Sequence, residues 1–183
     1  MGMIRRRSFA PSAVPSADRV ELIDTPDKLI SFARTRGIET VPFEAEKVAV
    51  ALGIDIKYGD LKEDISGVLQ KKEDLGGWEI LVNRAHHLHR QRYTIAHELG
   101  HYCLHRYYRN NFEDDIFFRS TEATPTEWEA NDFAGAVLIP EEAFRAKLRA
   151  GVNDVEELAK VFKVSTLALR MRAKKLGMSG HGL

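Results

Sequence analysis

Two histidines and a glutamate stand in the order His97-Glu98-x-x-His101. On a helix, residues four apart lie one turn above each other on the same face, so His97 and His101 can offer their imidazole nitrogens to one metal ion. Glu98 lies one step round the helix, where its carboxylate can take a proton from a metal-bound water. The spacing and the residue types therefore indicate metal-assisted hydrolysis.

The residues around this motif predict a buried helix over about residues 90–108. They are mostly apolar or small, and no proline interrupts them. Gly100 is informative, because a glycine inside a helix costs about 1 kcal/mol relative to alanine and usually marks the close passage of another element. The alternative, a core helix in which His97 and His101 have only a structural role, is less favoured.

A catalytic zinc needs a third protein ligand and keeps its fourth position for water. The best candidate segment is residues 125–140, where small and apolar residues fall at helical spacing. Glu127 continues the apolar face of that predicted helix, whereas Glu129 lies about 200° round the helix from it. A carboxylate on the buried face needs a partner such as a metal, so we favour Glu127 over Glu129 as the third ligand.

Two further polar residues lie close to the predicted ligands. Asn131 follows Glu127 by one turn and could hydrogen-bond a ligand and fix its orientation, although a contact between packed helices is an equal alternative. His105 continues the face of His97 and His101 by another turn and is either a group that supports a ligand or a surface group.

Two stretches of the sequence are far more specific together than either is alone. They are Gln91-Arg92-Tyr93-Thr94-Ile95-Ala96-His97-Glu98-Leu99-Gly100-His101 and Glu127-x-x-Ala130-Asn131-x-Phe133-Ala134-x-x-x-Leu138-x-Pro140. This pair resembles the ImmA/IrrE family of metallo-endopeptidases, and the resemblance runs from about residue 43 to residue 176.

The resemblance implies a cytoplasmic zinc endopeptidase, bacterial or phage-borne, that cuts a helix-turn-helix repressor and so relieves repression. In that family the histidines of the first motif and the glutamate of the second bind zinc, and the glutamate of the first is the general base. Carried over, the ligands are His97, His101 and Glu127 and the base is Glu98, the residues that the spacing also selects. Ile139 stands where the family commonly has methionine, an apolar replacement that leaves this assignment intact.

Bulk properties exclude several other classes. Lys plus Arg and Asp plus Glu both number 27 in the 183 residues, so the formal net charge is zero, which argues against a general electrostatic attraction to nucleic acid or membrane. The single cysteine, Cys103, excludes an internal disulfide, fits a reducing cytosol and is expected to be a small buried side chain. No apolar run approaches the length of about 18 residues that predicts a membrane span.

The order of periodic segments predicts an α+β fold, a mostly helical zincin-like domain with a small three-stranded antiparallel sheet. Helices are expected over residues 26–36 and 42–52, and the strands over 54–58, 65–70 and 78–82. Short connections favour an antiparallel meander. Residues 107–124 predict a surface loop long enough to act as a lid, which Phe112, Phe117 and Phe118 would attach to the core.

Three regions follow from this pattern. Residues 1–25 predict a disordered arm, 26–151 the zincin-like metallopeptidase domain, and 152–183 a C-terminal helical pair packed on the same domain. This pair resembles a helix-turn-helix, with Ser165 as the cap of its second helix. Its basic residues make DNA binding an alternative to a structural role; they are Arg170, Arg172, Lys174 and Lys175.

Two other functions remain open at this stage. The first is a non-catalytic zinc-binding interaction module, for example an antitoxin-like partner, against which the presence of Glu98 counts. The second is a DNA-binding regulator that uses residues 153–177 and contains zinc only as a structural part.

Overall fold

The computed structural model describes residues 23–72, 76–108, 110–115 and 124–178, with the backbone alone described for 113–115. Within these ranges the chain is mostly helical, with one small sheet. The elements are α1 (Pro26–Thr35), α2 (Ala45–Ala51), β1 (Ile54–Gly59), β2 (Ile65–Lys71), β3 (Trp78–Asn83), α3 (Leu88–His105), β4 (Asn111–Asp115), α4 (Pro125–Leu138), α5 (Glu141–Arg149), α6 (Val155–Phe162) and α7 (Thr166–Lys175). None of these helices has the length and apolar character needed to cross a membrane. The predicted arm lies outside the described residues as far as residue 22.

The sheet has four strands in the order β1-β3-β2-β4, so the predicted three-stranded antiparallel meander is wrong. The three predicted strands do form, and β2 pairs antiparallel with both β3 and β4. However, β1 pairs parallel with β3, from Ile54 opposite Trp78 to Gly59 opposite Asn83. The connection between β1 and β2 explains the difference. Its five residues, 60–64, can reach about 16 Å, which is enough to skip one strand position and leave a gap that β3 fills.

Strand β4 lies inside the stretch that the sequence predicts as a loop. Its sequence, Asn-Phe-Glu-Asp-Asp, has one apolar residue and no alternation, so it lacks the signal of a strand. Backbone pairing with β2 forms it, and Phe112 lies opposite Leu69 with only 4% of its surface exposed. The predicted attachment of this segment to the core is therefore confirmed for Phe112, whereas Phe117 and Phe118 lie outside the described residues.

Local contacts determine the bounds of the first two helices. Helix α1 begins as predicted, with the Thr25 hydroxyl accepting from the Lys28 backbone N–H, and Gly37 follows it with a positive φ of 67°. Helix α2 starts at Ala45, later than predicted, because Thr40 and Phe43 pair in an isolated β-bridge before it.

One hydrophobic core connects all these elements. Helix α3 packs against α4, β2, α2 and β3, and the apolar residues of the C-terminal helices belong to the same cluster, among them Leu158, Phe162 and Leu169. Cys103 is 4% exposed, so the expectation of a small buried side chain is confirmed, and burial raises the pKa of its thiol to about 12.

Candidate metal centre

A glycine sets the distance between the two helices that form the site. A Cβ atom on Gly100 of α3 would lie 3.0 Å from the Ala130 carbonyl oxygen and 3.2 Å from the Phe133 Cβ, both on α4. The expectation that another element passes close to Gly100 is therefore confirmed. Thr124 caps helix α4, and its hydroxyl accepts from the Glu127 N–H, so that Glu127 lies in the first turn of the helix beside α3.

The predicted ligands His97, His101 and Glu127 form a compact group. The Nε2 atoms of the two histidines are 2.9 Å apart. The Glu127 oxygens lie 3.2 Å from Nε2 of His97 and 3.3 Å from Nε2 of His101. Two atoms that bind a tetrahedral zinc at about 2.1 Å lie roughly 3.4 Å from each other, so these separations are close to those of a zinc site. The histidines are buried, and Glu127 is 30% exposed, which leaves one side of the group open.

Asn131 determines which nitrogen of His97 faces the group. Its Oδ1 lies 3.2 Å from Nδ1 of His97 and 3.3 Å from the Tyr93 hydroxyl. An amide oxygen only accepts, so Nδ1 of His97 is the donor and its Nε2 keeps a lone pair. Burial lowers the pKa of His97 to about 4, which keeps the ring neutral near pH 7, as a metal ligand requires.

His101 is supported by a second histidine. Its Nδ1 lies 3.0 Å from Nδ1 of His105, whose Nε2 lies 2.9 Å from the Glu129 carboxylate. The ring of Phe112 stacks on His101, with centroids 4.7 Å apart and an angle of 25° between the planes. The structure thus places both predicted supporting residues, Asn131 and His105, in contact with the predicted ligands.

The donor set fits a divalent metal ion. When both Nδ1 atoms carry the protons, the two Nε2 lone pairs and the Glu127 carboxylate face one another as acceptors only, and a cation relieves their repulsion. Burial opposes ionisation of Glu127, but the adjacent His101 and His97 side chains hold the pKa of its carboxyl below the usual range. Two imidazoles and one ionised carboxylate are a ligand set of catalytic zinc sites.

Glu98 is the most unusual group of the site. It is fully buried, and neither of its carboxyl oxygens has a hydrogen-bond partner in the described structure. Burial raises the pKa of this carboxyl well above its usual value, and the charge of Glu127 raises it further. The nearby Leu69 backbone N–H, whose geometry falls short of a hydrogen bond, lowers it in part. A carboxyl with a raised pKa beside a metal site is suited to accepting and releasing a proton.

A second glycine makes room for Glu98. A Cβ on Gly67 of β2 would lie 3.2 Å from Oε1 of Glu98, 3.0 Å from the Leu81 carbonyl oxygen and 2.3 Å from the Thr94 side chain. Sequence reasoning missed this residue. The available signal was a glycine inside a predicted strand, which often marks the close approach of another group.

Sequence reasoning also missed Phe112 and Glu129 as neighbours of the predicted ligands. Tyr93, which the sequence offers with Tyr102, Tyr107 and His105 as an unranked candidate for oxyanion stabilisation, contacts Asn131. Phe112 comes from an unpredicted strand. Glu129 was considered only as a ligand, and the structure instead places it on His105.

Two of the four basic side chains named above on helix α7 form internal contacts. Arg172 donates a hydrogen bond from Nε to the Ile139 carbonyl at 3.2 Å, and Lys175 forms an ion pair with Asp132 of α4. A cavity of about 610 Å³ lies between α4 and α7, with Tyr93 and Asn131 among its lining residues. These contacts engage Arg172 and Lys175 within the protein, whereas Arg170 and Lys174 are exposed.

Comparison with known proteins agrees with the motif analysis. Residues 49–174 match the profile of the IrrE N-terminal-like domain, which is classed as a peptidase domain. A solved structure of a Mycobacterium tuberculosis transcriptional regulator has a similar fold, with a TM-score of 0.55 and 19% identity over 86% of this chain and 48% of that chain. The present chain thus spans about half the length of that regulator, and the similarity concerns the fold alone. No curated protein sequence matches the chain.

Proposed function

The chain belongs to the IrrE N-terminal-like domain family, and from this premise we propose that it is a zinc-dependent endopeptidase that hydrolyses a peptide bond in a partner protein. One observation carries the proposal. Glu98, a fully buried carboxyl, follows His97 on α3 and is close enough to Glu127 of the metal group for their charges to interact. A buried carboxyl of this kind is costly unless it has a chemical task.

Each residue has a distinct role in this proposal. His97, His101 and Glu127 hold the ion, and Asn131 and His105 orient the two rings. When bound, zinc lowers the pKa of a water molecule toward about 7 and polarises the scissile carbonyl. Glu98 accepts the proton of the attacking water and transfers it to the departing amine, and its raised pKa fits both steps.

The sheet offers a place for the substrate backbone. Among the described strands, β1 and β4 are the two edges, and β4 is the edge that bears Phe112 against His101. An extended peptide that pairs with β4 would therefore lie beside the metal group, bound through main-chain hydrogen bonds.

The proposed substrate is a helix-turn-helix transcriptional repressor in the cytoplasm, whose cleavage relieves repression. This finer assignment is supported by the resemblance to the ImmA/IrrE family and by the net charge of zero, which favours a protein partner over general binding to nucleic acid. In this proposal residues 26–151 form the peptidase domain and 152–183 the helical pair that closes it.

A cleavage assay tests the proposal. The zinc-loaded protein is mixed with candidate repressors encoded beside it, and the fragments are measured by mass spectrometry. We expect the Glu98→Gln variant to retain zinc and to lose cleavage by about 10²- to 10⁴-fold, because the amide cannot accept the proton. Glu156→Gln, an exposed glutamate on α6, is the matched control and should cleave normally.

Cleavage retained by Glu98→Gln would refute the proposed base. Zinc binding with no cleavage of any candidate, together with stable binding to one of them, would instead support the non-catalytic interaction module.

A further inference from the structure

A line of three side chains connects the metal group to the protein surface. Glu129 is 62% exposed, its oxygen lies 2.9 Å from Nε2 of His105, and the His105 side chain is only 6% exposed. His105 in turn lies 3.0 Å from His101 through their Nδ1 atoms. The outermost member can therefore be replaced without disturbing the packing of the core.

The carboxylate determines where the protons lie along this line. An ionised carboxylate only accepts hydrogen bonds, so Nε2 of His105 must donate to Glu129. A neutral imidazole has one N–H, which leaves Nδ1 of His105 as an acceptor. Nδ1 of His101 then donates to it, and Nε2 of His101 presents a lone pair toward Glu127.

The other polar contacts of His101 oppose this choice. Its Nε2 lies 2.9 Å from Nε2 of His97 and 3.3 Å from the Glu127 carboxylate, and in the metal-free site both acceptors favour a proton on Nε2. The stacked ring of Phe112 restrains the plane of the imidazole but does not distinguish its two nitrogens. Without the carboxylate, His105 can carry its proton on Nδ1, and His101 is then driven to the tautomer that has a proton on Nε2, where a metal would bind. His97 differs, because its Nδ1 lies directly against the amide oxygen of Asn131.

We propose that Glu129 is a positioning residue that acts through His105 to hold His101 in the metal-binding tautomer. The inference rests on the metal site proposed above. It assigns a function to an exposed glutamate that does not itself contact the metal group, and it makes the surface end of the line a determinant of metal affinity.

Two measurements on the full-length chain test this assignment. Long-range ¹H–¹⁵N NMR of the metal-free protein reports which nitrogen of each histidine carries the proton, and chelator competition reports the affinity for zinc. We compare the wild type with Glu129→Ala and with Glu142→Ala, an exposed glutamate of α5 that serves as the matched control.

We expect Nε2–H on His105 and Nδ1–H on His101 in the wild type and in Glu142→Ala. In Glu129→Ala we expect mixed tautomers of His105 and a zinc affinity about 10- to 100-fold weaker, with the same denaturation midpoint as the control. If Glu129 formed only a surface ion pair with His105, its replacement would change neither the tautomers nor the zinc affinity.

Unchanged tautomers, or a zinc affinity equal to that of Glu142→Ala, would overturn the assignment. A wild-type protein that binds no zinc would refute the proposed function instead, and the tautomers would still decide whether Glu129 orients the two rings.

Discussion

Two pairs of helices, α3 with α4 and α6 with α7, differ in the kind of side chain that they bury. Nine polar or charged side chains are buried in the described part of the chain, and five of them lie on α3; these five are Thr94, His97, Glu98, His101 and His105. Helices α6 and α7 bury only apolar side chains within the same ranges. The first pair thus accepts a cost in stability where the proposed chemistry takes place.

Both helices of the C-terminal pair begin at a side-chain cap. The Asp154 carboxylate accepts from the Glu157 N–H at 2.8 Å, and the Ser165 hydroxyl accepts from the Ala168 N–H at 3.1 Å, so the predicted cap is confirmed. The comparison teaches that stability and chemistry are concentrated in different helices. Substitutions in α6 and α7 should therefore change the free energy of unfolding and leave zinc affinity nearly unchanged. Substitutions at the metal group should do the reverse.

The largest expected effect is on stability, from Phe162→Ala. Phe162 is fully buried, and its ring meets Phe144 edge to face at a centroid distance of 6.0 Å. We expect the free energy of unfolding to fall by about 3–5 kcal/mol because the substitution removes a large buried side chain and leaves a cavity. Denaturant titration measures this change, and zinc affinity of the folded protein should remain that of the wild type. Phe162→Leu, a smaller truncation, keeps the test usable if the alanine variant does not fold. Weaker zinc binding in the folded leucine variant would contradict the separation of stability from chemistry.

An intermediate effect is expected at the metal group from Asn131→Ala. The substitution removes the acceptor that defines the tautomer of His97, so zinc affinity should fall by about 10- to 100-fold. This corresponds to roughly 1.4–2.7 kcal/mol of binding free energy. Chelator competition measures it. Asn131→Asp keeps an acceptor oxygen at the same position and should retain most of the affinity, and equal losses in both variants would contradict the tautomer argument.

The smallest effect is expected from Ser165→Ala at the start of α7. Loss of the capping hydroxyl should lower the free energy of unfolding by about 1 kcal/mol, measured by denaturant titration, without any change in zinc affinity. Ser165→Thr, which keeps a hydroxyl, should lose less. A clear decrease in zinc affinity on removal of this cap would show that the two helix pairs are coupled after all.

The helices and the members of the metal group were predictable because their signals are local. Residues four apart on a helix share a face whatever the rest of the fold does, so the facing of His97 and His101 follows from their spacing. Thr25, Pro26 and Ser165 likewise mark helix starts through contacts within three residues. The roles of these ligands and of Glu98 stay predictions until zinc binding and cleavage are measured.

The sheet was only partly predictable. Alternating residues identified β1, β2 and β3, but alternation contains no information about which strands become neighbours. The parallel pairing of β1 with β3 depends on the path of the connection between β1 and β2. Strand β4 depends on pairing with β2 and not on its own residues.

The sequence by itself determined which residue types stand at helical spacing, and through them the candidate chemistry of His97, Glu98, His101 and Glu127. Only the tertiary structure decided how closely α3, α4 and β2 approach, because that distance depends on what faces Gly100 and Gly67 across the packing. It also brought Glu129 to His105. Spacing along the chain is a covalent property, whereas contacts between elements exist only once the core has formed.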